Sequence, residues 1–132
     1  YEIFHLLFQN RTFLQDYNSL LAGHLEIFWD APDFWNEDDP KLFKDNGTLK
    51  RTSIPKWAQK AIFFRDRGRC VFCHKDLSGL ISSFSSKNFD HIIPLSQYGA
   101  NDVSNLQLTC EACNKKKGGK ILAPQKKYER WF

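Results

Sequence analysis

Apolar positions recur near a helical period through the first part of the chain. Ile3, Leu6, Leu7, Phe13, Leu14, Tyr17, Leu20 and Leu21 form the stripe. This predicts a helix over residues 1–25, with a break at Asn10-Arg11 and a stop at Gly23. A stripe of this kind usually packs on a core. His5 and His24 fall within it without ligand spacing and are expected to be ordinary packed or surface residues. Residues 26–40 change character. Six acids and the aromatics Phe28, Trp29, Phe34 and Trp35 alternate there with no Lys or Arg. Pro32 and Pro40 argue against one long helix. The expected structure is a loop whose aromatics face the core and whose carboxylates face water.

Asn46-Gly47 marks a turn. Ser53 then offers a helix cap, with Pro55 in the first turn. Trp57, Ala58, Ala61 and Ile62 give that helix an apolar face, and Gly68 should end it. The Ser- and Gly-rich residues 76–88 suggest a short strand and a flexible turn. Beyond them Phe89-Asp90-His91-Ile92-Ile93-Pro94 reads as a strand. In the next strand Leu106 and Leu108 alternate with Asn105, Gln107 and Thr109, giving one core face and one polar face. Asp90 and His91 are neighbours on a strand and should point to opposite faces. They can serve one site only where that strand ends or bends.

The four cysteines change the picture most. They form two C-x-x-C pairs, Cys70/Cys73 and Cys110/Cys113. Vicinal pairs suit disulfide geometry poorly. No signal-peptide pattern accompanies them, so a four-thiolate structural zinc is expected. His74 follows Cys73, but four thiolates already complete a tetrahedron. Cys110 and Cys113 sit at i, i+3, suited to gripping zinc at a helix start, with Asn114 about 100° further round.

Charge sharpens the division. Residues 1–55 carry 5 Lys/Arg and 9 Asp/Glu, a balance of −4; residues 56–132 carry 14 and 6, a balance of +8. A basic half around a metal motif suits a polyanion such as nucleic acid. At 132 residues and 42% apolar content, the chain fits one small domain with an added segment. No apolar run approaches the ~20 residues of a membrane span. An intracellular, cytoplasmic setting is expected. The chain opens at Tyr1 rather than a methionine, which leaves room for a longer parent.

Asp90-His91, Asn105-Leu106 and the second cysteine pair ending in Asn114 together resemble the HNH endonuclease motif in its His-Asn-Asn form. Arg65-Asp66 before Cys70 resembles the lead-in to the first zinc pair of that family. The likeness covers about residues 60–120. It implies an α+β fold: a ββα-metal core with structural zinc over residues 55–132, preceded by a mainly helical segment over 1–54. It implies catalytic roles for His91, as general base, and Asn105, which orients it. It implies Asp90 and Asn114 as ligands of a catalytic magnesium or manganese ion, with Cys70, Cys73, Cys110 and Cys113 on zinc. Lys115, Lys116, Lys117 and Lys120 would then meet phosphates. The implied activity is metal-dependent hydrolysis of DNA, with duplex DNA as partner. A non-catalytic zinc module binding nucleic acid, or a defence or toxin nuclease acting on RNA, are the alternatives. A protein partner or second copy could dock through residues 1–40. Two departures stand out. Asn114 stands where the family name expects His, as in the HNH domain of the CRISPR effector nucleases. Gln97-Tyr98-Gly99 replaces the usual paired glycines.

Overall fold

The computed structural model describes residues 2–29, 41–80 and 85–123. The expected acidic-aromatic loop falls outside them from residue 30 onward. The described residues form an α+β arrangement of four helices and one two-stranded antiparallel sheet. Helices α1 (Glu2–Gln9) and α2 (Arg11–Phe28) come first. The break at Asn10 is real: its side chain caps α2 by accepting the Phe13 amide at 3.0 Å.

Gly23 does not stop α2, which runs to Phe28. An internal glycine costs only ~1 kcal/mol against Ala, and tertiary packing exceeds that. Leu14, Asn18 and Ala22 are buried on one stripe, and Leu14 and Ala22 cluster with Ile92 and Ile93. The N-terminal segment therefore shares a core with the residues just after His91. Asn18 Nδ2 adds a bond to Ser104 Oγ at 3.3 Å. The apolar stripe of α1 behaves differently from the expected core face. None of its residues is buried, and Ile3 and Leu6 are exposed. The helix is too short to reach the core except through Phe8, which packs beside Tyr98 in the second cluster and carries the Arg65 guanidinium 4.9 Å above its ring.

Helix α3 (Lys56–Arg65) starts one residue after Pro55, which itself occupies the cap position. Ser53 makes no cap bond; with proline at the cap, no amide hydrogen there needs a partner. Ala58, Ile62, Phe63 and Arg65 are its buried positions, whereas Trp57 is 65% exposed. The apolar face predicted through Trp57 and Ala61 is thus rotated toward Phe63. The chain leaves α3 through left-handed Arg67 and Gly68. At Gly68 a Cβ would lie 2.8 Å from the Phe63 ring, so glycine is required there.

Arg65, the residue of the Arg65-Asp66 pair that leads into Cys70, is buried. It grips Asp66 with Nε at 2.9 Å and Nη2 at 3.0 Å, and donates to the carbonyls of Leu106 and Val103. Asp66 in turn accepts the Leu108 amide at 2.8 Å and Arg11 at 3.3 Å. A buried charge is tolerated when paired and fully hydrogen-bonded. This network fixes α2 and α3 to the sheet.

The sheet pairs β1 (Phe89–His91) with β2 (Leu106–Leu108), in the register Phe89↔Leu108, Asp90↔Gln107, His91↔Leu106. Of residues 76–88, where a short strand is expected, the described ones form a bridge, Arg69↔Asp76, and two 3-10 turns, Ser78–Leu80 and Ser86–Asn88; residues 81–84 lie outside the described residues. Phe89, Leu106 and Leu108 join Ile62, Phe63, Cys70, Leu77 and Cys110 in the main core. Helix α4 (Glu111–Lys117) follows β2 directly and completes the ββα unit. Among the described residues no helix is long and apolar enough to cross a membrane.

Candidate active site

The cysteines converge as their spacing requires. Their four Sγ atoms lie within 4.8 Å of one another, and Cys73 Sγ stands 3.7 Å from Cys110 Sγ. A disulfide would need about 2.05 Å. Sulfurs on a tetrahedral zinc, at about 2.3 Å from the metal, stand about 3.8 Å apart. All four are free thiols. Backbone turns present them. His74 N bonds to Cys70 O at 2.9 Å to close the first knuckle, and Cys110 caps α4 by accepting the Cys113 amide at 3.5 Å. His74 is exposed, in a left-handed turn, and stands outside the sulfur group.

Electrostatics agrees with a cation at this point. Burial raises the Cys110 thiol, but bonds from Cys113, Cys73 and Cys70 outweigh it and bring the group down to about 7. Burial pushes Cys70 and Cys113 up. Unaided, the cluster favours a thiolate at Cys110 and resists one at Cys70 and Cys113. A divalent ion that removes the remaining protons fits both the spacing and this imbalance. The four-cysteine group therefore fits a zinc site.

Asp90 and His91 are both buried on β1. The strand ends at His91, where Ile92 N turns to Asn105 O at 2.7 Å. The two side chains find different partners. Asp90 Oδ2 accepts from Gln107 Nε2 at 2.8 Å and pairs with Lys117 Nζ at 2.9 Å. His91 Nε2 faces Asn101 Oδ1 at 3.2 Å. Lys117 spans the doublet, since Nζ also donates to the His91 carbonyl at 2.8 Å. Burial pushes the His91 imidazole below its ordinary value of 6.5. The Asn101 bond and the Asp90 charge oppose that shift, while Arg51 and Lys117 reinforce it. The ring is thereby biased to the neutral form at pH 7.

Asn105 is fully buried, and its side-chain hydrogen bonds go to the loop backbone rather than to the imidazole. Its amide clamps the loop that follows: Oδ1 accepts Ile93 N at 2.8 Å, and Nδ2 donates to the carbonyls of Ile93 and Ala100, each at 2.9 Å. These bonds hold the backbone of the loop two residues beyond His91. The loop is tight enough that a Cβ at Gly99 would fall 1.8 Å from Ile93 O. One glycine does the work that paired glycines were expected to share. Gln97 and left-handed Tyr98 occupy the rest of the turn. The polar face predicted for β2 is not open to water, because Asn105 and Thr109 are buried.

Asn114 lies across α4 from the sulfurs and reaches β1. Its Nδ2 donates to Lys87 O at 2.8 Å and to Phe89 O at 3.4 Å. Asp90 and Asn114 are thus each anchored by one polar atom. Among the described residues neither Asp90 Oδ1 nor Asn114 Oδ1 accepts a bond.

Lys115, Lys116 and Lys120 are exposed, as phosphate contacts require. Lys117 is not: it is 2% exposed and committed to Asp90 and His91. Its place three residues after Asn114, on the same face of α4, was the one signal for this. Asn101, Gln107 and Lys117 are the site residues the sequence did not single out for these contacts. Side chains that meet across the loop and helix leave no local pattern.

Residues 70–120 match the model of the family described as HNH endonuclease. No curated protein and no solved structure matches the chain. The match begins at Cys70 and leaves α1, α2 and α3 outside it. It encloses every residue of the sulfur cluster and of the Asp90, His91 and Asn114 group. Over residues 70–120 the chain is thus similar to an HNH endonuclease domain, with which its four-cysteine group is consistent, and this points to a nuclease or related nucleic-acid function.

Proposed function

We propose that this domain is a metal-dependent endonuclease that hydrolyses phosphodiester bonds in DNA, with His91 as general base. The carrying observation is the pairing of a buried, neutral-biased imidazole with two anchored residues that each keep one oxygen in reserve. His91 takes the proton of the attacking water, a task open to an imidazole that burial biases to the neutral form. Asp90 and Asn114 would hold a magnesium or manganese ion. When bound, that ion neutralises charge on the phosphate and the leaving oxygen. Asn105 keeps the loop after His91 in place, and Gln107 and Lys117 keep the Asp90 carboxylate from turning. Lys115, Lys116 and Lys120 contact phosphates of duplex DNA without selecting bases. The zinc cluster, closed by four thiolates, has no open position for water and acts on the fold alone.

One observation favours a second reading, a zinc module that binds nucleic acid without cutting it. Asp90 already has a cation in Lys117. The test is incubation of plasmid DNA and of RNA with the zinc-loaded protein, adding magnesium, manganese or chelator. Wild type and His91→Ala are compared. Metal-dependent nicking of plasmid that disappears in the variant is expected. Binding without cleavage under every condition would select the second reading, and cleavage of RNA alone would reassign the substrate.

A further inference from the structure

We infer that Asn101 is a positioning residue that fixes the His91 ring with hydrogen on Nε2 and leaves Nδ1 as the atom that accepts a proton. The second half of this statement rests on the reading of His91 as general base. The first half stands on hydrogen-bond bookkeeping alone.

Asn101 lies in the loop between β1 and β2, and its amide is held at both ends. Nδ2 lies 2.7 Å from the carbonyl oxygen of Lys50. Oδ1 lies 3.2 Å from His91 Nε2. The two ends of an amide are told apart by their partners. A carbonyl only accepts, so the end facing Lys50 must be the NH2 group. The other end, facing His91, must then be the oxygen, which also only accepts. The ring nitrogen opposite it therefore carries the hydrogen. A neutral imidazole has one such hydrogen, and Nδ1 is left with the lone pair.

The origin of this constraint is unexpected. Lys50 belongs to a hairpin closed by the Phe43↔Leu49 bridge, with Lys50 N on Leu42 O at 2.9 Å and Lys44 N on Thr48 O at 2.8 Å. Residues 41–50 lie outside the family-matched segment. The hairpin is seated on the loop a second time, where Tyr98 Oη donates to Asn46 O at 3.4 Å. A relay thus runs from the Lys50 backbone through Asn101 to His91. The hairpin sets the ring's hydrogen and orientation from outside the HNH domain.

Nuclear magnetic resonance of the intact, zinc-loaded chain with ¹⁵N-labelled histidine tests this at a pH where the ring is neutral. The spectrum of His91→Gln assigns the His91 signals. Asn101→Asp keeps an acceptor oxygen toward the ring, and Asn101→Leu removes it. The wild type is expected to show hydrogen on Nε2 with slow exchange. Asn101→Asp should keep that protected proton, and Asn101→Leu should lose it to solvent. In cleavage assays Asn101→Leu should lower kcat by about 10- to 100-fold, as lost orienting partners of histidines do. KM and zinc content should stay unchanged, and Asn101→Asp should recover most of the rate. A loop tie without influence on the ring would move none of these. Hydrogen on Nδ1 in the wild type, or an unchanged kcat and a still protected proton in Asn101→Leu, would overturn the inference. If the wild type cuts nothing, the tautomer and its protection still decide the role of Asn101, and the failure belongs to the nuclease reading.

Discussion

The two ends of helix α4 handle charge in opposite ways. At its start, Cys110 and Cys113 meet Cys70 and Cys73 in a group of sulfurs that carries no cation of its own. At its end, Lys117 brings an ammonium into the protein and sets it against Asp90 at 2.9 Å. Four thiolates repel one another until a divalent ion joins them, so the first end is incomplete as a polypeptide. Asp90 is already neutralised, so the second end is complete without metal. The difference separates two kinds of ion. An ion at the sulfurs would be part of the fold. The one proposed at Asp90 and Asn114 is a visitor that must compete with a resident lysine and gains from a bound phosphate.

Removing the zinc should produce the largest effect. Structural zinc sites contribute about 10–16 kcal/mol in small peptides, comparable to a domain's whole stability of about 5–15 kcal/mol. Cys70→Ser, or strong chelation, should therefore abolish cooperative thermal unfolding, read by circular dichroism beside elemental analysis. A zinc-free chain with unchanged unfolding would erase the distinction between the two ends.

Breaking the other end should cost less but remain severe. Lys117→Met leaves Asp90 buried without its partner, which typically costs about 3–5 kcal/mol. Denaturant titration measures it. Adding Asp90→Asn to that variant should restore much of the loss, since the stranded charge disappears. A cost under about 1 kcal/mol would mean that water reaches the pair.

His91→Ala should act on rate. Loss of a general base lowers cleavage by about 10²–10⁴-fold, with zinc content unchanged. The same group sets the pH response. Burial holds its folded pKa below the ordinary 6.5. The neutral, competent form therefore persists as pH falls through 6.5, and is lost only lower. Cleavage rates measured from pH 5 to 8 should show an acid limb with its midpoint below 6.5. A midpoint above it would contradict the buried setting of the ring.

The smallest effects should come from single exposed lysines. Log affinity for duplex DNA should fall with log salt by about 0.9 per phosphate contact. Replacing Lys116 and Lys120 by Ala should flatten that slope by up to about two. Lys117→Met should leave it unchanged where the variant folds, because Lys117 faces Asp90 and not solvent. Equal effects from all three would place Lys117 on the surface during binding.

Much of this arrangement is legible along the chain, because it depends on near neighbours. The knuckle spacing, the cap at Cys110, the break at Asn10 and the strand before Pro94 each follow from residues a few positions apart. What escapes is set by distant partners. Trp57 and Ile62 are both apolar, and only the position of the sheet decides that Ile62 is buried and Trp57 exposed. Lys117 reads as one lysine of a run, and only the register of α4 on β1 turns it inward. Asn101 is one polar residue in a loop until Lys50 and His91 close on it from either side.

The packing of α2 against the motif has a kinetic side. Asn18 and Ser104 are 86 residues apart in sequence, whereas β1 and β2 pair across the loop from His91 to Leu106. Long closures add little to the equilibrium cost, about 0.6 kcal/mol per doubling of length, but contacts distant in sequence slow folding. The ββα unit can therefore form early from local contacts and zinc. Ile92 and Ile93 then stay uncovered until Leu14 and Ala22 arrive. The loop beside His91 is then expected to become rigid last, and an immature chain would hold its zinc before its proposed base stood in working order.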